Sequence, residues 1–245
     1  MALHKTMMMA VLAATTLLTG CSSVELGGTP PRLWTLTPKT TIKAELPPVD
    51  WQLLIEQPQA SAGLDTPRIA LAKTALELDY YKGVSWVDRA PSMVQTMMVQ
   101  TFENTRRIVA VGRKSVNLRA DYILQSELRE FQALYKGSDP GGNTAPIIHV
   151  RLNAKIVQMP YRTIAASRNF ETCIPAKSNS MDDIIAAFDR GLGRVLKHLT
   201  TWTLNEERGE SQTPYSSGCK AGEPVTDEDQ ELDQSWSRDA TSLRD

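Results

Sequence analysis

The sequence predicts an α/β fold: a single domain in which a mixed β-sheet is covered by two main helices, extended at both ends by segments of different composition. Three observations carry this reading. Apolar runs of strand length, alternating or continuous and bounded by turn residues, recur between residues 33 and 171. Two segments, around residues 88–102 and 180–202, switch to helical spacing. The composition is that of a folded chain: 41% hydrophobic and 22% charged residues over 245, with 14 Gly and 14 Pro, excludes wholesale disorder and low-complexity architectures.

Taken in order, residues 33–37 alternate and stop at Pro38, as a strand does. Residues 51–56 are an apolar run of strand length, and 67–72 alternate through Ile69 and Leu71. Residues 76–87 read as a hairpin turning at Lys82 and Gly83. Residues 108–111, 121–131, 146–158 and 162–171 complete the strand set. The first helix takes Asp88 or Ser92 as its cap and carries Met93, Val94, Met97, Met98, Thr101 and Phe102 on one face. The second begins at Ser180, with Asp182 and Asp183 in its first turn, where the helix dipole favours carboxylates. Its stripe is Ile184, Phe188, Leu192, Val195, Leu196, Leu199 and Trp202, while Lys197 and His198 sit towards the C-terminal end, where cations are favoured. Core packing accounts for both stripes. Gly191 and Gly193 permit close packing of that helix, at about 1 kcal/mol of helix propensity each.

Charge is balanced overall but not along the chain. Lys and Arg total 27 against 28 Asp and Glu, a net of −1 that removes nucleic acid as a partner, because phosphate binding needs a basic face. Residues 205–245, however, hold eleven carboxylates against four basic residues, a net of −7. With +1 from Lys5, the stretch 21–204 is left with +5. The tail lacks apolar periodicity and is expected to be largely disordered. A basic domain with an acidic tail allows loose self-association into a homo-oligomer; solubility alone is the simpler account.

Residues 1–20 have the anatomy of a cleaved signal peptide: His4 and Lys5, then an uncharged, mostly apolar run from Met7 to Leu18. That run is too short to span roughly 30 Å of hydrocarbon. Leu18, Thr19, Gly20 and Cys21 resemble the bacterial lipobox. The resemblance implies that Cys21 is alkylated with diacylglycerol, becomes the new N-terminus and gains an amide-linked acyl chain such as palmitate. Such a lipid set anchors a protein stably, each buried methylene contributing about 0.8 kcal/mol. Ser22 stands where Asp would signal inner-membrane retention, so the periplasmic face of the outer membrane is the expected location and the inner membrane the alternative. Residues 21–32 complete the lipidated tether, with Gly27, Gly28, Pro30 and Pro31 and no apolar periodicity.

Residues that carry catalysis are sparse. Cys173 and Cys219 are the thiols left once Cys21 is lipidated, and an exported pair of this kind usually becomes a disulfide. The loop would enclose 46 residue steps, which chain entropy values at roughly 4 kcal/mol, and would pin the start of the tail onto the domain across the last helix. A catalytic cysteine, the alternative, needs a positioned base, and neither His149 nor His198 lies in a recognisable context. No Cys-x-x-Cys or His-x-x-x-His spacing gives a zinc signature. The glycine-rich stretch 137–143 lacks the lysine and helix of a phosphate loop and reads as an exposed turn. Asp182 and Asp183 are adjacent on a helix and diverge, so no paired carboxylates are indicated. The reading is a non-enzyme with no catalytic residue, no metal ligand set and no cofactor.

Four segments in order resemble the ABC-type transport auxiliary lipoprotein family, which includes the paraquat-inducible C-type lipoproteins. Trp34, Thr35, Leu36, Thr37 and Pro38 are similar to its early aromatic-x-Leu-x-Pro strand, and Leu64, Asp65, Pro67 and Ile69 to its Leu-Asp-x-Pro-x-Ile segment. Residues 81–91, centred on Trp86, resemble its Tyr…Trp stretch leading into a helix; Leu128 and Phe131 resemble its Leu-x-x-Phe strand end. The resemblance covers residues 33–204, and the acidic tail and the Cys173/Cys219 pair depart from it. It implies a lipid-anchored periplasmic domain serving an ABC system that moves lipids between membranes. A mammalian-cell-entry (MCE) domain protein is the implied core partner, and no catalytic residue is implied. A stand-alone periplasmic lipid carrier, its cavity lined by residues 121–158, or another envelope-maintenance lipoprotein is the alternative function.

Overall fold

The computed structural model describes residues 30–40, 42, 46–74, 76–113, 119–135, 144–205 and 219; the signal peptide, most of the tether, the turn at 137–143 and the tail apart from Asn205 and Cys219 lie outside these. The chain divides into two units, 1–31 and 32–245, and the second is the folded domain. Its strands are β1 (Arg32–Trp34), β2 (Val49–Ile55), β3 (Gln59–Ala60), β4 (Arg68–Ala72), β5 (Asp79–Trp86), β6 (Ile108–Gly112), β7 (Tyr122–Leu134), β8 (Ile147–Gln158) and β9 (Thr163–Pro175). Its described helices are α1 (Ala90–Thr105) and α2 (Met181–Leu204).

The nine described strands join one mixed sheet organised on β7. One edge of β7 receives three short parallel strands in succession: β2 at Tyr122–Leu124, β3 at Glu127 and Leu128, and β4 at Gln132–Leu134. Its other edge pairs antiparallel with β8 along its whole length, and β8 pairs antiparallel with β9. β6 lies parallel outside β2, β5 antiparallel outside β4, and β1 parallel outside β5.

Both helices lie on one face of this sheet. Strand alternation decides which residues meet them: Leu124, Leu128, Phe131, Ile148, Val150, Leu152, Ala154 and Ile156 are all buried toward α1 and α2. The helical stripes read from the sequence are the buried ones, from Met93 to Phe102 on α1 and from Ile184 to Trp202 on α2. At the centre, the rings of Trp86, Phe131 and Phe188 meet pairwise with centroids 5.1–5.6 Å apart. None is more than 1% exposed, and full burial of such a side chain contributes roughly 1.5–3 kcal/mol. Helix and sheet close on each other at Gly191, where a Cβ would stand 3.2 Å from Val150 Cγ2.

Several local expectations give way to specific hydrogen bonds. The first strand ends at Trp34, not Thr37, because Thr37 N–H and Oγ1–H turn away from the sheet to donate to Asp189 of α2, at 2.7 and 2.8 Å. Residues 76–87 are not a hairpin. They yield the single strand β5, in which Gly83, at φ 71°, forms a bulge and the partner strand is β4. Neither Asp88 nor Ser92 caps α1. Its N-cap is Arg89, without a side-chain cap, and Pro91 in the first turn needs no N–H partner. Asp88 accepts from Arg89 N–H at 2.7 Å instead. Ser180 does cap α2, accepting from Asp183 N–H at 3.3 Å, with Asp182 and Asp183 in the first turn as expected. No basic residue lies in the last turn of α2, which runs past His198 to Leu204.

Candidate functional site

The face of the sheet turned away from the helices is where polar chemistry gathers. Residues paired across β7, β8 and β9 share a face, so the registers give its rows directly. One row is Gln132, His149 and Cys173; the next is Glu130, Arg151 and Glu171. Further along come Gln125, Lys155 and Ser167. The row at the far end is apolar: Leu54 of β2, Ile123, Val157 and Ile164. Leu54, Ile123 and Val157 are buried there as a small cluster separate from the main core, whereas Ile164 is 61% exposed.

In the first of these rows Cys173 is bonded to Cys219, with Cα atoms 5.5 Å apart. Cys219 therefore stands on the side of the sheet opposite the helices. His149, directly beside Cys173 in the register, is buried, and its Nε2 lies 2.7 Å from Glu171 Oε1. The carboxylate holds the ring in place, since a buried imidazole without a partner is costly. The donor atoms of His149, Cys173 and Cys219 all lie within 4.8 Å of one another. Sequence spacing missed this grouping because the three positions meet through strand register and chain return, not through a local motif.

Two other polar groupings sit on the helix side. Tyr135 donates to Asn179 Oδ1 at 2.5 Å, so the hydroxyl 2.9 Å away on Tyr81 must be the donor in the tyrosine pair. Burial pushes both phenols above their ordinary range, Tyr81 further because Tyr135 adds to the effect, so neither supplies a phenolate. Asp189 accepts from Thr37 and is raised by burial, against which the Thr37 hydrogen bonds and the charges of Lys39 and Arg190 act. It staples the first strand's exit to α2. His198 lies on α2, away from the His149 row. Cys21 and the positions Leu18, Thr19 and Gly20 fall outside the described residues.

The family model for the ABC-type transport auxiliary lipoprotein component matches residues 33–200. A crystal structure of a Xanthomonas campestris protein from a family of unknown function, number 330, superposes with a TM-score of 0.65 at 33% identity, covering 70% of this chain and 94% of that one. A second crystal structure, of an uncharacterised protein, shares the fold with a TM-score of 0.54 at 11% identity, over 70% and 97% of the two chains. A Bradyrhizobium diazoefficiens protein, also uncharacterised, is 30% identical over 152 residues, or 62% of this chain. The match spans 39% of that relative's length. Because the family model takes in the sheet from Leu33 onward, α1 and most of α2, the chain belongs to the ABC-type transport auxiliary lipoproteins.

Proposed function

We propose that this protein is a lipid-anchored periplasmic subunit of an ABC/MCE-type system moving lipids between the inner and outer membranes, acting as a docking or conduit component without catalysis. The observation that carries the reading is the family match across residues 33–200. Anchoring rests on Cys21, following Leu18, Thr19 and Gly20; Ser22 favours the outer membrane. A fully extended tether over residues 22–32 reaches at most roughly 35 Å, at about 3.3 Å per residue. That clears headgroups but does not cross the periplasm, so an MCE-domain partner must come the rest of the way.

Packing favours a docking role over a lipid carrier. The helix-facing sides of β7 and β8, which would have to line a cavity, are filled by Phe131, Val150, Leu152 and the α2 stripe against them. A lipid tail there would have to displace the Trp86, Phe131 and Phe188 cluster. Among the described residues no helix is long and apolar enough to cross a membrane. Hydrolysis finds no support at the histidine read as a possible base, because His149 faces Glu171 and a disulfide rather than a nucleophile.

The test replaces Cys21 with Ala, releasing the protein into the periplasm. Loss of envelope integrity, with the soluble protein folded and at normal level, is the expected outcome. Normal integrity would show that anchoring is dispensable. Native mass spectrometry of the delipidated domain addresses the carrier: no stoichiometric lipid is expected.

A further inference from the structure

The geometry points to a cation site that the disulfide conceals: with Cys173 and Cys219 as thiols, these two sulfurs and His149 form a Cys2His set for a borderline-soft d10 cation such as Zn2+. Three features carry this. The donor atoms already converge within 4.8 Å, and two sulfurs bound to a tetrahedral zinc at about 2.3 Å stand about 3.8 Å apart. The required change is therefore a small opening of the S–S contact. Cys173 and His149 are fixed by strand pairing on adjacent long strands, so two of the three ligands are held before any metal arrives. The histidine carries a carboxylate partner, Glu171 at 2.7 Å, in the arrangement that orients and strengthens imidazole ligands of zinc.

A disulfide alone does not call for these neighbours. A cystine bridge is apolar and content against aliphatic side chains, yet here it adjoins an imidazole and a carboxylate whose side chains are 8% and 14% exposed. The fourth coordination position, which no described histidine or cysteine supplies, falls to water.

The chemistry balances in two stages. Chains that reach the envelope as the dithiol bind the cation directly, losing two thiol protons as two metal–thiolate bonds form. From the bonded state the S–S bond must first break, taking two electrons and two protons from an external dithiol, which leaves as its own disulfide. Oxidation and metal binding therefore compete for the same pair of sulfurs.

The purified full chain, reduced with a dithiol and moved to anaerobic buffer without reductant, is titrated with Co2+ alone. One equivalent should bind with an intense near-ultraviolet sulfur-to-cobalt band that Zn2+ abolishes, and the oxidised chain should show no band. His149→Gln should weaken binding by at least about tenfold, and Glu171→Gln, which acts through the ring, by about tenfold. No thiolate band in the reduced chain, or an unchanged affinity in His149→Gln, overturns the site. Reduction also removes a crosslink, so thermal unfolding of the reduced chain is followed with and without Zn2+. A midpoint that rises with Zn2+ in the native sequence but not in His149→Gln supports the site, and no rise overturns it even where the reduced fold has loosened.

Discussion

Gly191 and Asp189 lie two residues apart on α2 and do opposite things to its surroundings. Gly191 lets the helix backbone approach Val150, Thr172 and Ile174 on the sheet. Gly191→Val would add three carbons to that contact, and overpacking of this kind costs about 1–3 kcal/mol. Equilibrium denaturation should show a loss in that range, despite valine's better helix propensity. Asp189 instead reaches outward to bind Thr37. Burial makes its carboxyl harder to ionise in the folded chain than in the unfolded one, despite Thr37, Lys39 and Arg190. Its folded-state pKa therefore exceeds the unfolded value, near 3.8, so its contribution is full below that pH and is lost as pH rises through the folded value. Asp189→Asn keeps an oxygen for Thr37 and removes the charge. Relative to the variant, the native chain should lose stability as pH rises above about 3.8, read as melting midpoints. The partner of Asp189 was invisible in the sequence, because Thr37 is 152 positions away.

The elements that packing defines are those that periodicity anticipates. The stripe of α2 and its Ser180 cap are both legible, since a helix start needs only local chemistry. Ser180→Ala should cost about 1 kcal/mol in chemical denaturation, while Asp88→Ala and Ser92→Ala at α1 should cost no cap, because neither makes one there. Alternation along β7, β8 and β9 likewise foretells which side faces the helices. Turn chemistry misleads at Gly83: a glycine after lysine between apolar runs suits a tight turn, yet its left-handed φ serves a bulge within β5. A local window cannot distinguish these, because the choice depends on β4 being available as the partner. The His149, Cys173 and Cys219 grouping is illegible for the same reason. It depends on the β8–β9 register and on the Cys173–Cys219 bond, neither of which leaves a spacing in the sequence.

For the whole molecule, a disulfide fixes one end of the domain and a lipid anchor is proposed for the other. The Cys173–Cys219 link fixes position 219, within a segment of net charge −7, on the face opposite the helices of a domain carrying +5. By chain entropy, a loop of 46 residues contributes about 4 kcal/mol, so Cys219→Ser should lower unfolding stability by up to about that amount. A loss near zero would mean that the tail segment restrains itself without the bond. At the other end, the account has a lipid on Cys21, a short tether and a filled, non-catalytic domain waiting for a periplasmic partner. In-cell crosslinking of the tagged protein, followed by purification and mass identification of what it holds, tests that claim most directly. The account predicts recovery of an MCE-domain protein, with or without its permease and ATPase; repeated recovery of only unrelated envelope proteins, from a folded chain with an accessible tag, would contradict it.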